Sequence, residues 1–406
     1  MRSALPLFGA VAAALVLALP AQGAAAPRCA TSAGGDAKLG ASVDRVVRTA
    51  LTAGDLRAVL VRVNVDGKPI YTRAYGESIA GVRATPAMHF RNGAVAYSYL
   101  ATLLARLVDQ RKVKFEDKVS KYLPALPNGD RITLRELANS TSGYTDYVYE
   151  PEVLNSVATQ PLRAFKTQEL IDVGTKKPLQ HEPGKNFAYT HTGFAVLAQV
   201  LSKAGGRPIG TLLRDEILRP AGLRQTASAN TPAIPQPVLN TYTSERRTSL
   251  GIPAGTPFFE DSTYWNPSWT GAEGVVMSTD ICDLAGSYEA IGSGRLVSRA
   301  GFKAQTDKKL AGFGHPQAGC RVCRALTKQF SYGLGVLLMG NWIGQTKSFA
   351  GSAAAVAYLP SKRVSIAVEA TFAENAYDDE GNYEDTTPAI LNSLGKLLAP
   401  SDPIRP

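Results

Sequence analysis

Apolar side chains recur at helical spacing in a segment near the start of the chain and in another near its end. In the segment 38–51 they fall on one helical face, formed by Leu39, Val43, Val46, Val47, Ala50 and Leu51. Near the end, Thr387-Pro388 precedes a second face of this kind, formed by Ile390, Leu391, Leu394, Leu397 and Leu398. Because proline suits the first turn of a helix, both segments are predicted to be helical.

A two-residue alternation follows the first predicted helix. Residues 59–65 alternate as a half-buried strand, and Asp66-Gly67 favours a tight turn into a second strand over 70–75. Strand-like runs return late in the chain, at 332–339, 348–359 and 364–372. The stretch between these two groups is mostly helical in pattern and is interrupted by proline-containing loops.

This order of elements predicts an α+β fold. An antiparallel sheet is expected to be flanked by the N- and C-terminal helices, with a largely helical region inserted between its second and third strands. We expect the sheet part to cover about 36–85 and 325–400, and the helical part about 86–324, within one domain at 26–400. A cleft between the two parts is the expected place for a ligand.

Composition and the first residues bear on where the protein acts. An apolar content of 45% over 406 residues excludes a disordered chain and leaves room for a large core. Met1-Arg2-Ser3 precedes an Ala/Leu-rich run and then small residues, so 1–25 is predicted to be a cleaved export signal. The run is shorter than the roughly 20 residues of a membrane span. We therefore expect a secreted or cell-wall-associated protein without a transmembrane span.

The chain is basic, with a formal net charge of +10, and the excess lies mainly in 163–224 and 299–328. Such charge favours anionic surroundings without naming a partner, and no nucleic-acid-binding module is recognisable. No cofactor is indicated.

Four cysteines fit an oxidising compartment. They permit two disulfides in three connectivities, of which we favour Cys320 with Cys323 and Cys29 with Cys282. His315 lies close to Cys320, but the local ligands number only three, so no metal site is predicted.

Five stretches carry a further pattern in order along the chain. They are 90–147 (beginning FRNGAVAYSYLATLLARLVDQ and ending STSGYTDY), 181–226 (HEPGKNFAYTHTGFAVLAQVLSKAGGRPIGTLLRDEILRPAGLRQT), 271–285 (GAEGVVMSTDICDLA), 332–336 (YGLGV) and 357–371 (AYLPSKRVSIAVEAT). Together they resemble the serine β-lactamase and penicillin-binding-protein superfamily, specifically the class C-like group of D-alanyl-D-alanine carboxypeptidases and related esterases. The resemblance implies the β-lactamase/transpeptidase-like fold.

The resemblance also implies a site for acyl transfer through a serine with a lysine three residues later, since residues i and i+3 share one helical face. This chain has Ala94 at the serine position and Tyr97 at the lysine position. A methyl group cannot form an acyl-enzyme, and a phenol does not replace the missing positive charge. Ser98 is the nearest hydroxyl, about 6 Å along the helix from Ala94.

The second and third motifs of the family are also altered. Its Tyr-x-Asn corresponds here to Tyr189-Thr190-His191. Its Lys-Thr-Gly or His-Thr-Gly on the edge strand corresponds to Gln345-Thr346-Lys347, where Lys347 is expected to crowd the substrate-binding edge. The family's oxyanion hole uses backbone N–H groups, which Ala94 and Ser348 would still supply.

These features lead to one main hypothesis and two alternatives. The main one is an exported, non-hydrolytic binding or regulatory pseudoenzyme whose ligand is a peptidoglycan stem peptide, a small molecule or a protein. Ala94, Tyr97, Tyr189, His191, Thr346 and Ser348 are its predicted ligand-binding residues. The first alternative is an enzyme with altered acid–base chemistry through Tyr97 and Tyr189, with His191 and Lys347 nearby. The second is a serine hydrolase that uses Ser98.

For other residues near the motifs the sequence predicts only a general role. Asp146 and Tyr147 are expected to hold a loop turn together with Gly143. Trp265 and Trp269 are predicted with equal weight to line the cleft or to belong to the core.

Overall fold

The computed structural model describes residues 1, 29–32, 36–228 and 231–405. Apart from Met1, the predicted export signal lies outside these residues. None of the helices within them is long and apolar enough to cross a bilayer.

The helices include one near each end of the described chain. Their bounds are α1 Ala37–Ala53, α2 Val95–Asp109, α3 Leu134–Ala138, α4 Pro151–Thr159, α5 Thr167–Thr175, α6 His191–Gly205, α7 Ile209–Leu213, α8 Arg219–Ala221, α9 Ile281–Gly292, α10 Arg299–Gln305 and α11 Thr387–Leu398. A π-helical segment, Arg214–Leu218, joins α7 to α8. The predicted terminal helices are confirmed as α1 and α11, which pack against each other and against the sheet.

The strands of the main sheet lie early and late in the chain, as the sequence pattern predicts, and the short strands of two small sheets lie between them. Their bounds are β1 Leu56–Val65, β2 Lys68–Ile79, β3 Val82–Arg83, β4 Phe90–Arg91, β5 Ala227–Ser228, β6 Tyr242–Thr243, β7 Glu260–Asp261, β8 Met277–Thr279, β9 Phe330–Tyr332, β10 Leu337–Met339, β11 Trp342–Phe349, β12 Ser352–Leu359 and β13 Val364–Phe372. Eight of them form one antiparallel sheet in the order β3-β2-β1-β13-β12-β11-β10-β9. The α+β fold class is confirmed.

Two of the predicted late strands are each divided in the structure. The run 348–359 is interrupted by a turn at Ala350-Gly351, so that β11 and β12 form a hairpin. Both turn residues have positive φ, 34° for Ala350 and 86° for Gly351, which suits glycine in a tight turn. The run 332–339 is likewise two short strands, β9 and β10, paired with each other.

Two disulfides tie distant and local parts of the fold together. Cys29–Cys282 joins the segment before α1 to the start of α9, across 253 residues of sequence. Cys320–Cys323 closes a short loop. This is the connectivity favoured from the sequence.

Candidate functional site

Ala94 lies at the N-terminus of α2, next to the loop that leads in from β4. Gly93 precedes it with a φ of 47°, a conformation that glycine adopts easily. Ala94 has helical φ and ψ of −63° and −12° and no side-chain cap. Its backbone N–H donates no hydrogen bond to another residue of the described ranges. The position therefore presents a methyl group and an unused backbone donor.

Tyr97 lies one turn further along α2 and is buried, with 2% of its surface exposed. Its hydroxyl donates to the carbonyl oxygen of Thr270 over 2.6 Å. Its ring stacks on Phe194 with 4.1 Å between centroids and 3° between planes. Burial raises the pKa of the Tyr97 phenol well above its usual 10, so the group stays neutral. It packs into the wall of the site.

Tyr189 and His191 lie beside Tyr97, so the structure brings together the residues predicted for the first two motifs. The Tyr189 ring is 6.4 Å from that of Tyr97 and stands edge-on to His191 at 5.5 Å. Burial raises the pKa of the Tyr189 phenol well above 10. Tyr189 is only partly buried, whereas Tyr97 is fully buried, so Tyr189 is the more accessible of these two phenols.

Asp146 is a site residue that the sequence analysis assigned to a loop turn. It does accept a bond from Val148 N, at 3.5 Å, but its buried carboxylate mainly holds His191. His191 Nδ1 is 3.0 Å from Oδ2, and the His191 backbone N–H donates to Oδ1 over 3.1 Å. A carboxylate at Nδ1 favours the tautomer that leaves Nε2 as an acceptor. The sequence feature that could have pointed to this contact is His191 itself, which stands where the family has Asn.

The predicted third motif lies on β11. Strand β10 pairs with β11 only over Trp342–Gly344, so the following residues of β11 form an open strand edge. Thr346 is half-exposed and Ser348 exposed on one face of β11, whereas Gln345 and Lys347 are buried on the other. Gln345 Nε2 donates to the carbonyl oxygen of Gly335 over 3.2 Å. The Ser348 hydroxyl hydrogen-bonds with that of Tyr383.

Lys347 does not crowd the open edge, and that expectation was wrong. Its side chain runs inward, where Nζ lies 2.8 Å from Glu369 Oε1 and 2.6 Å from Ser352 Oγ. Both charged side chains have 0% exposure. The strand order explains this direction, because Lys347 pairs with Ala354 and Ala354 pairs with Glu369, which places the two charged residues in one row of the sheet.

The packing of Lys347 also reaches the start of α2. A Cβ added to Gly93 would lie 2.9 Å from Lys347 Cβ, closer than side-chain carbons normally approach. Glycine at position 93 thus gives the lysine stem its space. Burial lowers the pKa of Lys347, and the charge of Glu369 opposes this effect.

Ser98 lies away from the cleft. It is 0% exposed, and its hydroxyl hydrogen-bonds with Tyr288. This position does not fit the alternative of a hydrolase that uses Ser98. A Ser-x-x-Lys spacing does occur at Ser393 and Lys396 in α11, but Ser393 lines a groove between α1 and α11.

The two tryptophans differ in position. Trp265 is 6% exposed and packs with Phe349 and Ala350 as a core residue. Trp269 is partly buried, stacks on Phe349 at 5.8 Å, and directly precedes Thr270, the acceptor of the Tyr97 hydroxyl. Trp269 therefore belongs to the same wall as Tyr97.

An antiparallel sheet, an inserted helical region and a helix start facing an open strand edge define the class of serine β-lactamase and penicillin-binding-protein folds. A family model described as Beta-lactamase matches residues 43–386. The chain belongs to this family.

Comparison with individual proteins agrees with this assignment. D-alanyl-D-alanine-carboxypeptidase/endopeptidase AmpH of Escherichia coli K12 is 32% identical over 179 residues, which are 42% of this chain and 45% of that protein. Teichoic acid D-alanine hydrolase of Staphylococcus aureus is 25% identical over 187 residues, 46% of this chain and 43% of that protein. The chain thus spans slightly less than half the length of these relatives.

Solved structures show the same fold over more of the chain. D-amino acid amidase from Ochrobactrum anthropi SV3, complexed with D-phenylalanine, has a TM-score of 0.73 and 20% identity over 89% of this chain and 99% of that one. A D-stereospecific amidohydrolase from Streptomyces sp. has a TM-score of 0.70 and 23% identity, covering 84% and 95%.

Proposed function

We propose that this protein is a ligand-binding member of the Beta-lactamase family that forms no acyl-enzyme, a non-hydrolytic binding or regulatory pseudoenzyme. The observation that carries the proposal is the methyl group of Ala94 at the start of α2. A serine nucleophile would be expected at this position, and a methyl group cannot attack a carbonyl carbon. Tyr97, at the position of the base, uses its hydroxyl to hold Thr270.

Binding without cleavage is consistent with what remains at the site. The start of α2, with the unused N–H of Ala94, lies next to β11, because Gly93 packs on Lys347 of that strand. A backbone donor at a helix N-terminus can hold a carbonyl or carboxylate oxygen whatever the side chain is. Since the matched relatives are named for D-alanine-containing substrates, we propose a peptidoglycan stem peptide or a comparable small ligand, met outside the cytoplasm.

A second candidate function rests on the contact between Asp146 and His191. In this alternative the protein moves a proton on its ligand without a covalent intermediate. His191 Nε2 would act as the base, since Asp146 holds Nδ1 at 3.0 Å, and Tyr189 would act as a neutral donor. Tyr189 is favoured as the donor over the other hydroxyl groups described, because it is only partly buried and lies next to His191.

Labelling with a fluorescent penicillin and a fluorophosphonate probe, followed by intact-mass spectrometry, tests the main proposal. We expect an unmodified mass after prolonged incubation, whereas an active family member run in parallel gains the mass of the acyl group. An adduct on any serine of this protein would overturn the proposal.

The second candidate is tested with a panel of ester and amide substrates. Turnover without an adduct, abolished by His191→Asn and Tyr189→Phe but retained by the distant Tyr122→Phe, would establish it over the binding function. Absence of turnover across the panel would reject it.

A further inference from the structure

The loop closed by Cys320–Cys323 is docked beside the segment that leads to Tyr189. Cys323 forms a β-bridge with Ala188, and the Arg324 N–H donates to Phe187 O over 3.2 Å. The loop is also held from within by a bridge between Gln317 and Cys320. The backbone of the loop is therefore held next to the aromatic wall of the candidate site.

Two arginines project from this loop. The Arg321 guanidinium lies 4.4 Å from the centre of the Tyr149 ring, and that of Arg324 lies 5.5 Å from the Phe187 ring. Neither forms an ion pair with a carboxylate of the described ranges, and both are exposed. Their positive charge is thus not neutralised locally.

Aromatic contacts connect both arginines to the cleft. Tyr149, which is 41% exposed, ends the turn that carries Tyr147, and the Tyr147 ring is 6.0 Å from that of His191. Phe187 is 5.6 Å from Tyr332, which is 6.1 Å from Tyr189. Burial raises the pKa of Tyr149 and the charges of Arg321 and Arg324 oppose this, so both arginines act on the same exposed ring.

The interior of the cleft lacks a comparable positive charge. Tyr97 and Gln345 are neutral, and the ammonium of Lys347 is paired with Glu369 at 0% exposure. A ligand bound against Ala94 and the β11 edge would meet no unpaired cation on these residues. Arg321 and Arg324 of the disulfide loop, in contrast, carry exposed positive charge that no ion pair among the described residues neutralises.

We infer that Arg321 and Arg324 form an anion-binding rim and that the ligand places a carboxylate or phosphate group there. Guanidinium groups bind both oxyanions through charge-assisted hydrogen bonds. This inference rests on the proposed function, because it assumes that the cleft holds a ligand non-covalently.

Calorimetric titration of the full-length protein with matched probes tests the inference. The carboxylate arm compares N-acetyl-D-alanyl-D-alanine with its C-terminal amide, and the phosphate arm compares glycerol 3-phosphate with glycerol. We expect at least one anionic probe to bind about tenfold or more tightly than its neutral partner, with affinity that falls as salt rises. The arm that shows this preference identifies the anion.

The variant Arg321→Ala/Arg324→Ala is expected to remove that preference, a loss of about tenfold or more in affinity for the anionic probe. The control Arg83→Ala/Arg299→Ala removes the same charge from exposed positions elsewhere and should retain it. The variant Cys320→Ser/Cys323→Ser keeps both arginines and is expected to weaken anion binding as well, because the loop loses its closure.

Absence of any anion preference in the wild type would refute the proposed anion-binding rim. An equal loss of affinity in the control Arg83→Ala/Arg299→Ala would also refute it. Retention of the preference after removal of both arginines would do the same. None of these results bears on acylation, which the mass of the probe-treated protein decides separately.

Discussion

The buried ion pair between Lys347 and Glu369 gives a quantitative prediction about stability. Its atoms are 2.8 Å apart and both side chains have 0% exposure. Removing one partner of such a pair leaves an uncompensated buried charge and costs about 3–5 kcal/mol. We therefore expect Lys347→Met to lower the free energy of unfolding by about 3 kcal/mol at a pH where Glu369 is ionised in the wild type.

The pH dependence of this loss follows from Glu369. Burial raises its pKa to about 8 even beside Lys347, against about 4.3 in an unfolded chain. Without the Lys347 charge, which lowers this pKa, the carboxyl of Lys347→Met stays protonated to a still higher pH. Below pH 8 Glu369 is neutral in both folded proteins, so the variant carries no uncompensated charge. Above pH 8 only the folded wild type ionises this carboxyl, and each pH unit adds up to about 1.4 kcal/mol to the loss, or about 3 kcal/mol by pH 10.

Urea unfolding followed by tryptophan fluorescence at pH 6, 8 and 10, with disulfides intact, measures the effect. Lys347→Met/Glu369→Leu removes both charges and should lie close to the wild type, since apolar replacement of a buried pair is often neutral or stabilising. The matched control is Arg363→Met, which breaks an exposed pair with Asp66 and should cost less than about 1 kcal/mol. A loss below about 1 kcal/mol for Lys347→Met at pH 10, or a double variant no more stable at that pH than the single one, would refute the reasoning.

Four further variants examine the candidate site. Ala94→Ser is expected to remain unlabelled by fluorescent penicillin because position 97 still lacks a base, whereas Ala94→Ser/Tyr97→Lys should label slowly; labelling of the single variant would contradict this. Tyr97→Phe keeps the stack on Phe194 but loses the bond to Thr270 O, so it should cost about 1 kcal/mol in chemical unfolding, and no change would show that this bond is energetically irrelevant. Ser98→Ala should cost about 1–3 kcal/mol through its lost contact with Tyr288 and leave probe reactivity unchanged, while loss of any ester turnover in this variant would restore the Ser98 alternative.

Local chemistry explains which parts of the fold could be predicted. The hairpin at Asp66-Gly67 was predictable because its turn residues and flanking alternation lie within one short segment. The break at Ala350-Gly351 was not, since the small apolar residues on either side continue a strand-like pattern across it. The pairing of Cys29 with Cys282 depends on a contact 253 residues apart, which the spacing of cysteines does not specify.

The candidate site is likewise divided into features that the sequence predicted and features that depend on distant segments. The family resemblance placed Ala94, Tyr97, Tyr189 and His191 in one site, and the structure brings them together. The partners that determine their chemistry come from other segments, as Asp146 does for His191. Likewise, the direction of Lys347 depends on β12 and β13 lying next to β11, an order that the sequence pattern does not reveal.

The residues at the other motif positions are not those expected of an enzyme that has lost only its nucleophile. An enzyme that had lost only its serine would keep its base and the side chains of its other two motifs free to meet a substrate. Here Tyr97 donates to Thr270, Gln345 donates to Gly335, and Lys347 is paired with Glu369. Because each group is used by the protein itself, restoring one side chain cannot free the others. This is why Ala94→Ser alone is expected to stay inert, and why the backbone N–H of Ala94, which does not depend on side chains, is the donor that remains for a ligand.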